Sequence, residues 1–162
     1  MKSVLLIAWM IFFSMLVSAQ DFASRFLDKR GPDTNLECIS ISPKMIREIL
    51  KIEVNGDEDE VLDIISNLKS MQMLKAEVNG DKYFKEALDI LDKNANRFES
   101  FLSYEDTSAN YRIMVRKKKD DIIELVMLVN ERNKFVVVNF TGNMNKEFIT
   151  RLASSMNLKR SS

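Results

Sequence analysis

Histidine is absent from the 162-residue chain, and cysteine occurs once. Without an imidazole group, Ser-His-Asp and Cys-His catalysis and every zinc site that uses histidine are excluded. A single cysteine also excludes a zinc site built from thiolates and any disulfide within the chain. Carboxylate chemistry is all that remains for an enzyme, so the first prediction is a protein without catalytic or cofactor-binding residues.

Excess charge of either sign is also missing, because 24 basic residues face 24 acidic residues. Nucleic-acid-binding proteins carry clustered positive charge, so no nucleic acid is expected as a partner. The one basic run, RKKKDD at 116–121, lies between two alternating apolar segments. It is typical of a solvated hairpin tip, with a phosphate or lipid-headgroup site as the alternative.

The first nineteen residues have the composition of a secretory signal peptide. Lys2 precedes an apolar run from Val4 to Val17, and Ser18 and Ala19 end the segment. About 14 apolar residues are too few to cross about 30 Å of hydrocarbon, so we expect cleavage after Ala19 and no membrane span afterwards. No lipobox cysteine is present, and a periplasmic or secreted protein is expected, with residues 20–162 forming a single domain.

Cys38 lies in the apolar stretch LECISIS. Strand cysteines with such neighbours are usually buried and inert, and no cationic neighbour in the stretch would activate the thiol. The sequence therefore predicts a buried, unreactive cysteine.

The densest acidic cluster, NGDEDE at 55–60, does not fit a calcium loop. Counted from Asn55 in the EF-hand pattern, the sixth position is not glycine and the twelfth is Ser66 rather than glutamate. A paired-carboxylate glycosidase stays open as an alternative, although acidic residues are common where helices begin.

The tetrapeptide V-N-G-D occurs twice, at 54–57 and 78–81. Asn-Gly favours positive φ, and a following aspartate can cap a helix. Apolar residues then recur at helical spacing, at 61, 64, 65 and 68 after Asp57 and at 84, 87, 88 and 91 after Asp81. Each copy is predicted to end one element, turn and cap the next helix, with Glu60 completing a capping box after Asp57.

The order of the remaining patterns predicts an α+β fold. Helices are expected at 22–29, after Ser42-Pro43 and after Asn145, and strands at 36–41 and 70–78 and near 99–105, 110–118, 122–130 and 135–140. Strands separated by helices early and joined by hairpins late indicate a single domain. We expect a largely antiparallel sheet of five to six strands with a C-terminal meander, and helices mainly on one face.

Pairing 110–118 with 122–130 sets Val115 beside Leu125, Ile113 beside Met127 and Arg116 opposite Glu124. A turn at 131–134 then brings one apolar set to the side expected to carry helices: Leu125, Met127, Val129, Val136, Val138 and Phe140. The opposite side carries what we name the central strip: Met114, Val126, Leu128 and Val137 among Arg112, Arg116, Glu124 and Asn139. An apolar strip rimmed by charges predicts a partner-binding surface, and the alternative is coverage by another segment such as helix 22–29.

Several segments together resemble the family called domain of unknown function 4252, exported proteins of Gram-negative gut anaerobes and their relatives. They are the signal peptide, DFASRFLDKRGPD, ECISISPKMIREIL, the late run YRIMVRKKKDDIIELVMLVNERNKFVVVNFTGNM and the closing amphipathic helix. The resemblance implies a cell-envelope location, a possible link to envelope sensing and no known activity. It carries over no catalytic residues.

Two function classes follow from these observations. The first is a non-catalytic envelope protein that binds another protein or itself, and the second is a periplasmic binder of an apolar small molecule or lipid. An enzyme ranks third.

Overall fold

The computed structural model describes residues 20–32, 35–45 and 67–155, and for 151–155 the backbone alone. The expected signal peptide, the first V-N-G-D copy with its acidic cluster, the helix predicted after it as far as residue 66, and the helical face after Met45 lie outside the described residues. Leu68, which was assigned to that helix, instead begins a strand. Along the described chain the elements are α1 (Phe22–Arg30), β1 (Glu37–Ile41), β2 (Leu68–Ala76), α2 (Gly80–Lys93), β3 (Glu99–Glu105), β4 (Ala109–Lys118), β5 (Asp121–Glu131), β6 (Lys134–Met144) and α3 (Lys146–Ser155). This α+β architecture confirms the predicted fold class.

The strands form one six-stranded sheet in the order β1-β2-β6-β5-β4-β3, and every neighbouring pair is antiparallel. Strands β3 to β6 are the predicted meander. The predicted pairs Val115 with Leu125, Ile113 with Met127 and Arg116 with Glu124 are all present. Arg132 and Asn133, both with positive φ, form the tight turn between β5 and β6, as expected for a two-residue hairpin loop.

Helices cover both faces of the sheet. Helices α1 and α2 lie on the first face, which is the face of the central strip. They form a core with it that includes Phe22, Phe26, Tyr83, Leu74 and Phe135. Helix α3 lies on the second face, where Phe148 meets the Phe140 ring edge-on and Ile149 is fully buried. That face contains the apolar set assigned above to the helix-covered side.

Helices α1 and α3 and the short helical stretch at 43–45 begin with polar caps. Asp21 accepts a hydrogen bond from the Ser24 amide at 2.8 Å, Ser42 from the Met45 amide at 3.3 Å and Asn145 from the Phe148 amide at 2.8 Å. The cap at Ser42 was predicted. All three caps satisfy amides that have no partner inside a helix.

The second V-N-G-D copy turns the chain as predicted, with Asn79 in the left-handed region at φ 58°. The predicted cap at Asp81 is wrong, because its Oδ1 accepts a hydrogen bond from Asn130 Nδ2 at 2.6 Å instead. The amides of Gly80 and Asp81 donate to the main-chain oxygen and the Oδ1 of Asn133, at 2.8 and 3.1 Å. A Cβ on Gly80 would lie 2.4 Å from the Asn133 main chain, which explains the glycine. Helix α2 is therefore capped by the β5–β6 turn.

No helix among the described residues combines the length and the apolar character needed to cross a membrane.

Candidate binding surface

The central strip lies in the core. Val126, Leu128 and Val137 have 0% exposed surface beneath α1 and α2. The prediction that the strip is an exposed partner-binding surface is therefore wrong, and the alternative of coverage by helix 22–29 is confirmed. Strand alternation gave the correct set of residues but could not tell which segment would cover them.

The polar members of the strip hold the start of α1. Glu124 and Asn139 are each 1% exposed. The Phe22 amide donates to Glu124 Oε1 at 2.7 Å, and the Ala23 amide donates to Asn139 Oδ1 at 2.8 Å. A carboxylate at a helix N-terminus also interacts favourably with the helix dipole. These two side chains therefore fasten α1 to the sheet.

Arg116 completes this buried group. Its Nε donates to Glu124 Oε2 at 2.8 Å and its Nη2 lies 2.8 Å from the same oxygen, while Asn139 Nδ2 donates to Glu124 Oε1 at 3.2 Å. The carboxylate is thus paired and hydrogen-bonded on both oxygens, which is the condition under which a buried charge is tolerated. The predicted cross-strand pair is real, and its role is structural.

The two other strip residues lie toward β3. Met114 is partly buried against the core under α1 and α2. The Arg112 guanidinium lies 3.5 Å from a Glu105 carboxylate oxygen and donates to the Tyr111 carbonyl at 3.3 Å. All eight predicted residues therefore lie on one sheet face, as expected, and the structure engages them within the chain.

Strand β1 is the exposed part of the sheet. It forms one end of the strand order, pairs only with β2 among the described strands, and exposes every residue from Glu37 to Ser40. Ile39 keeps 47% of its surface accessible. The prediction of a buried Cys38 is wrong, because the cysteine is exposed. Its strand is an edge strand, so its apolar neighbours do not indicate burial on both faces.

Strand β3, at the opposite edge, carries several features that block further strand pairing. The β3–β4 register shifts between Ser100 and Leu102, which marks a bulge at Phe101. Charged residues occupy both ends of β3, with Glu99 paired to Lys117 and Glu105 paired to Arg112. Bulges and charges are the usual protection of an edge against strand addition. The β1–β2 ladder has no register shift, and β1 has one charged residue, Glu37.

An ion-pair group lies near the Glu37 end of β1. Lys75, the cross-strand partner of Glu37, pairs with Glu77, which also contacts Lys134 at 2.9 Å. The hydrogen bond from Lys75, followed by that from Lys134, lowers the pKa of Glu77 to about 2. The charges are gathered at this end, and the middle of β1 from Cys38 to Ser40 is uncharged.

Within the described part of the chain, no three histidine, cysteine or acidic residues are grouped so that they could hold a metal ion. A cavity of about 960 Å³ opens beside the start of α1. Its lining includes Asp21, Lys69, Arg116, Lys118 and Asp121. Apolar Leu68 and Ile123 also line it, so the surface is of mixed polarity and mixed charge.

Comparison with known proteins gives one match. The family model described as Domain of unknown function (DUF4252) matches residues 32–152. No curated protein and no solved structure matches the chain. The match begins just after α1 and spans the whole sheet. The chain therefore belongs to the DUF4252 family.

Proposed function

We propose that this protein is a non-catalytic, exported protein of the cell envelope that binds another polypeptide by strand addition at β1. The observation that carries the proposal is the regular β1 edge, which is exposed from Glu37 to Ser40 and pairs only with β2 among the described strands. In this mode an extended segment of the partner pairs its main chain with the unpaired groups of the edge strand, and alternate side chains give specificity.

The side chains of β1 define the segment that would fit. Ile39 ends an apolar row that crosses the second face through Met73, Val138, Met127 and Ile113. An apolar partner residue opposite Ile39 would continue this row and remove Ile39 from water. Small or polar residues suit the positions opposite Cys38 and Ser40, on the other side of the strand.

The export part of the proposal rests on the sequence before Gln20, and no cofactor or nucleic acid is required. A role in envelope sensing would make the bound segment part of a sensory protein.

Binding of an apolar small molecule or lipid is the second candidate. The cavity beside the start of α1 does not single it out, because apolar Leu68 and Ile123 lie there among charged residues such as Lys69 and Asp121.

Strand addition can be tested with a phage-displayed library of random nonapeptides selected on the immobilised protein. We expect selected peptides to alternate apolar and polar residues. Ile39→Lys should weaken their binding at least about tenfold, or about 1.4 kcal/mol, because it places a charge in the middle of the pairing edge.

Ser103→Lys is the matched control, since Ser103 is an exposed residue near the middle of the β3 edge. Peptides that bind wild type and Ile39→Lys equally well, or that lose binding with Ser103→Lys, would place the binding surface elsewhere.

A further inference from the structure

We infer that β1 binds the β1 strand of a second copy of this chain, antiparallel, about a two-fold axis through Ile39. The inference rests on the proposed strand addition at β1 and names its partner. It is argued from the length of the strand, its side-chain order and the contrast with β3.

The strand length fixes the axis. Strand β1 has five residues, Glu37–Ile41, and Ile39 is its midpoint. When a strand pairs with itself antiparallel, all five residues find partners only if the midpoint lies opposite itself. Every other register leaves strand residues unpaired, so the largest number of main-chain hydrogen bonds is made with Ile39 on the axis.

This register is chemically self-complementary. Ile39 meets Ile39 of the second copy, Cys38 meets Ser40 and Glu37 meets Ile41. The two Glu37 carboxylates are kept apart, so no like charges oppose each other across the pair. Paired residues point to the same face, so Ile39 of each copy extends the apolar row of the other.

The burial along that row supports a second apolar strand at this place. Ile113 is fully buried, Met127 and Val138 are each 6% exposed, and Ile39 at the end is 47% exposed. Pairing about the axis places the two exposed isoleucines side by side. The two six-stranded sheets then join through their β1 strands into one sheet of twelve strands, with both isoleucines at its middle.

The contrast between the edges predicts a closed dimer. A β1-to-β3 contact between copies would repeat head to tail and give an open fibre. The bulge and the charged ends of β3 oppose that contact. Self-pairing of β1 uses both available β1 edges and stops at two chains.

A charge-swap experiment tests the axis directly in the chain that begins at Gln20. Sedimentation equilibrium over a concentration series should show the mass of the wild type rising toward that of two chains. Ile39→Lys alone and Ile39→Glu alone should remain monomeric, because each would place like charges opposite each other. An equimolar mixture of the two should associate again, because lysine then faces glutamate. Ser103→Lys should behave as the wild type does.

Cross-linking gives a second measurement. Ile39→Cys in a Cys38→Ser background puts the only thiol of each chain on the axis, within the Cα separation that a disulfide needs. With oxidised glutathione, one thiolate forms a mixed disulfide and releases glutathione, and the second thiolate displaces the other glutathione to join the chains. Ser103→Cys in the same background is the control and should yield no covalent dimer.

The outcomes separate the two proposals. A monomeric wild type that binds selected peptides through Ile39 would overturn self-pairing and leave strand addition standing. A dimer that survives both single charge variants, or a mixture that stays monomeric, would also overturn the two-fold axis at Ile39. If Ile39→Lys leaves both peptide binding and association unchanged, both proposals fail.

Discussion

The central strip and the β1 edge are both apolar stretches beside charged residues, yet the fold uses them in opposite ways. Val126, Leu128 and Val137 are completely buried under two helices, whereas Ile39 remains about half exposed at the end of the sheet. The first lies on middle strands and the second on an end strand. The position of a strand in the sheet decides whether its apolar side chains are buried in the core or remain partly exposed.

The largest difference between the two regions should appear when a charge is introduced into each. Val126→Asp places a carboxylate in a fully buried site without a partner, so we expect the free energy of unfolding to fall by more than about 4 kcal/mol, or no folded protein to be obtained. Ile39→Lys should change it by less than about 0.5 kcal/mol. Urea unfolding followed by circular dichroism measures both. A folded Val126→Asp protein of near wild-type stability would contradict the buried strip.

The attachment of α1 gives the next largest effect. Glu124→Ala leaves Arg116 and the Phe22 amide without their acceptor in a buried place, so we expect a loss of about 3–5 kcal/mol in the free energy of unfolding. Glu124→Gln keeps the shape and one acceptor oxygen, and its loss should be smaller. Hydrogen exchange should show α1 amides losing protection before those of β5. A loss below about 1 kcal/mol for the alanine variant would mean that α1 does not depend on this contact.

The rate of thiol labelling at Cys38 tests the β1 edge, and its expected change is smaller. Cys38 is exposed on β1, so a thiol reagent should label the native protein at a rate close to that of an unstructured cysteine peptide. If β1 pairs with a second copy, labelling should slow as the protein concentration rises, and Ile39→Lys should remove that slowing. Labelling that requires denaturant at every concentration would contradict the exposed edge.

The smallest expected effect is the pH dependence of stability that comes from the loop joining β3 to β4. Hydrogen bonds from the Ser108 amide, the Tyr104 hydroxyl and the Ala109 amide lower the pKa of Asp106 from its ordinary value of 3.8 to about 2. Because the pKa is lowered in the folded protein, the ionised Asp106 stabilises the fold at pH values above about 4. This stabilisation is lost as the pH falls from about 4 to 2. The advantage of wild type over Asp106→Asn should therefore be present at pH 5 and vanish near pH 2.

Urea titrations of both proteins at several pH values measure that advantage. β1 contains no such group in its middle, so Ser40→Ala should show the same difference from wild type at every pH. An Asp106→Asn difference that is equally independent of pH would remove the assigned role of the carboxylate.

The sequence by itself determined the features that depend on neighbouring residues. The antiparallel meander, its register at Val115 with Leu125 and Arg116 with Glu124, and the cap at Ser42 all follow from turn length, side-chain alternation and capping chemistry. These interactions join residues close in the chain, so a local pattern contains both partners. The family resemblance, which rests on the order of such patterns, is confirmed for residues 32–152.

Only the tertiary structure decided which strands are edges and which segments cover the sheet. Strand β2 pairs with β6. The Phe22 amide donates to Glu124, 102 positions later in the chain, and Asn130 donates to Asp81, which therefore does not form the predicted cap. The exposure of Cys38 and the burial of the central strip are consequences of that arrangement. Each depends on contacts between segments that are distant in the sequence. Whether such contacts form is decided by the packing of the whole chain, and no single local pattern contains both partners.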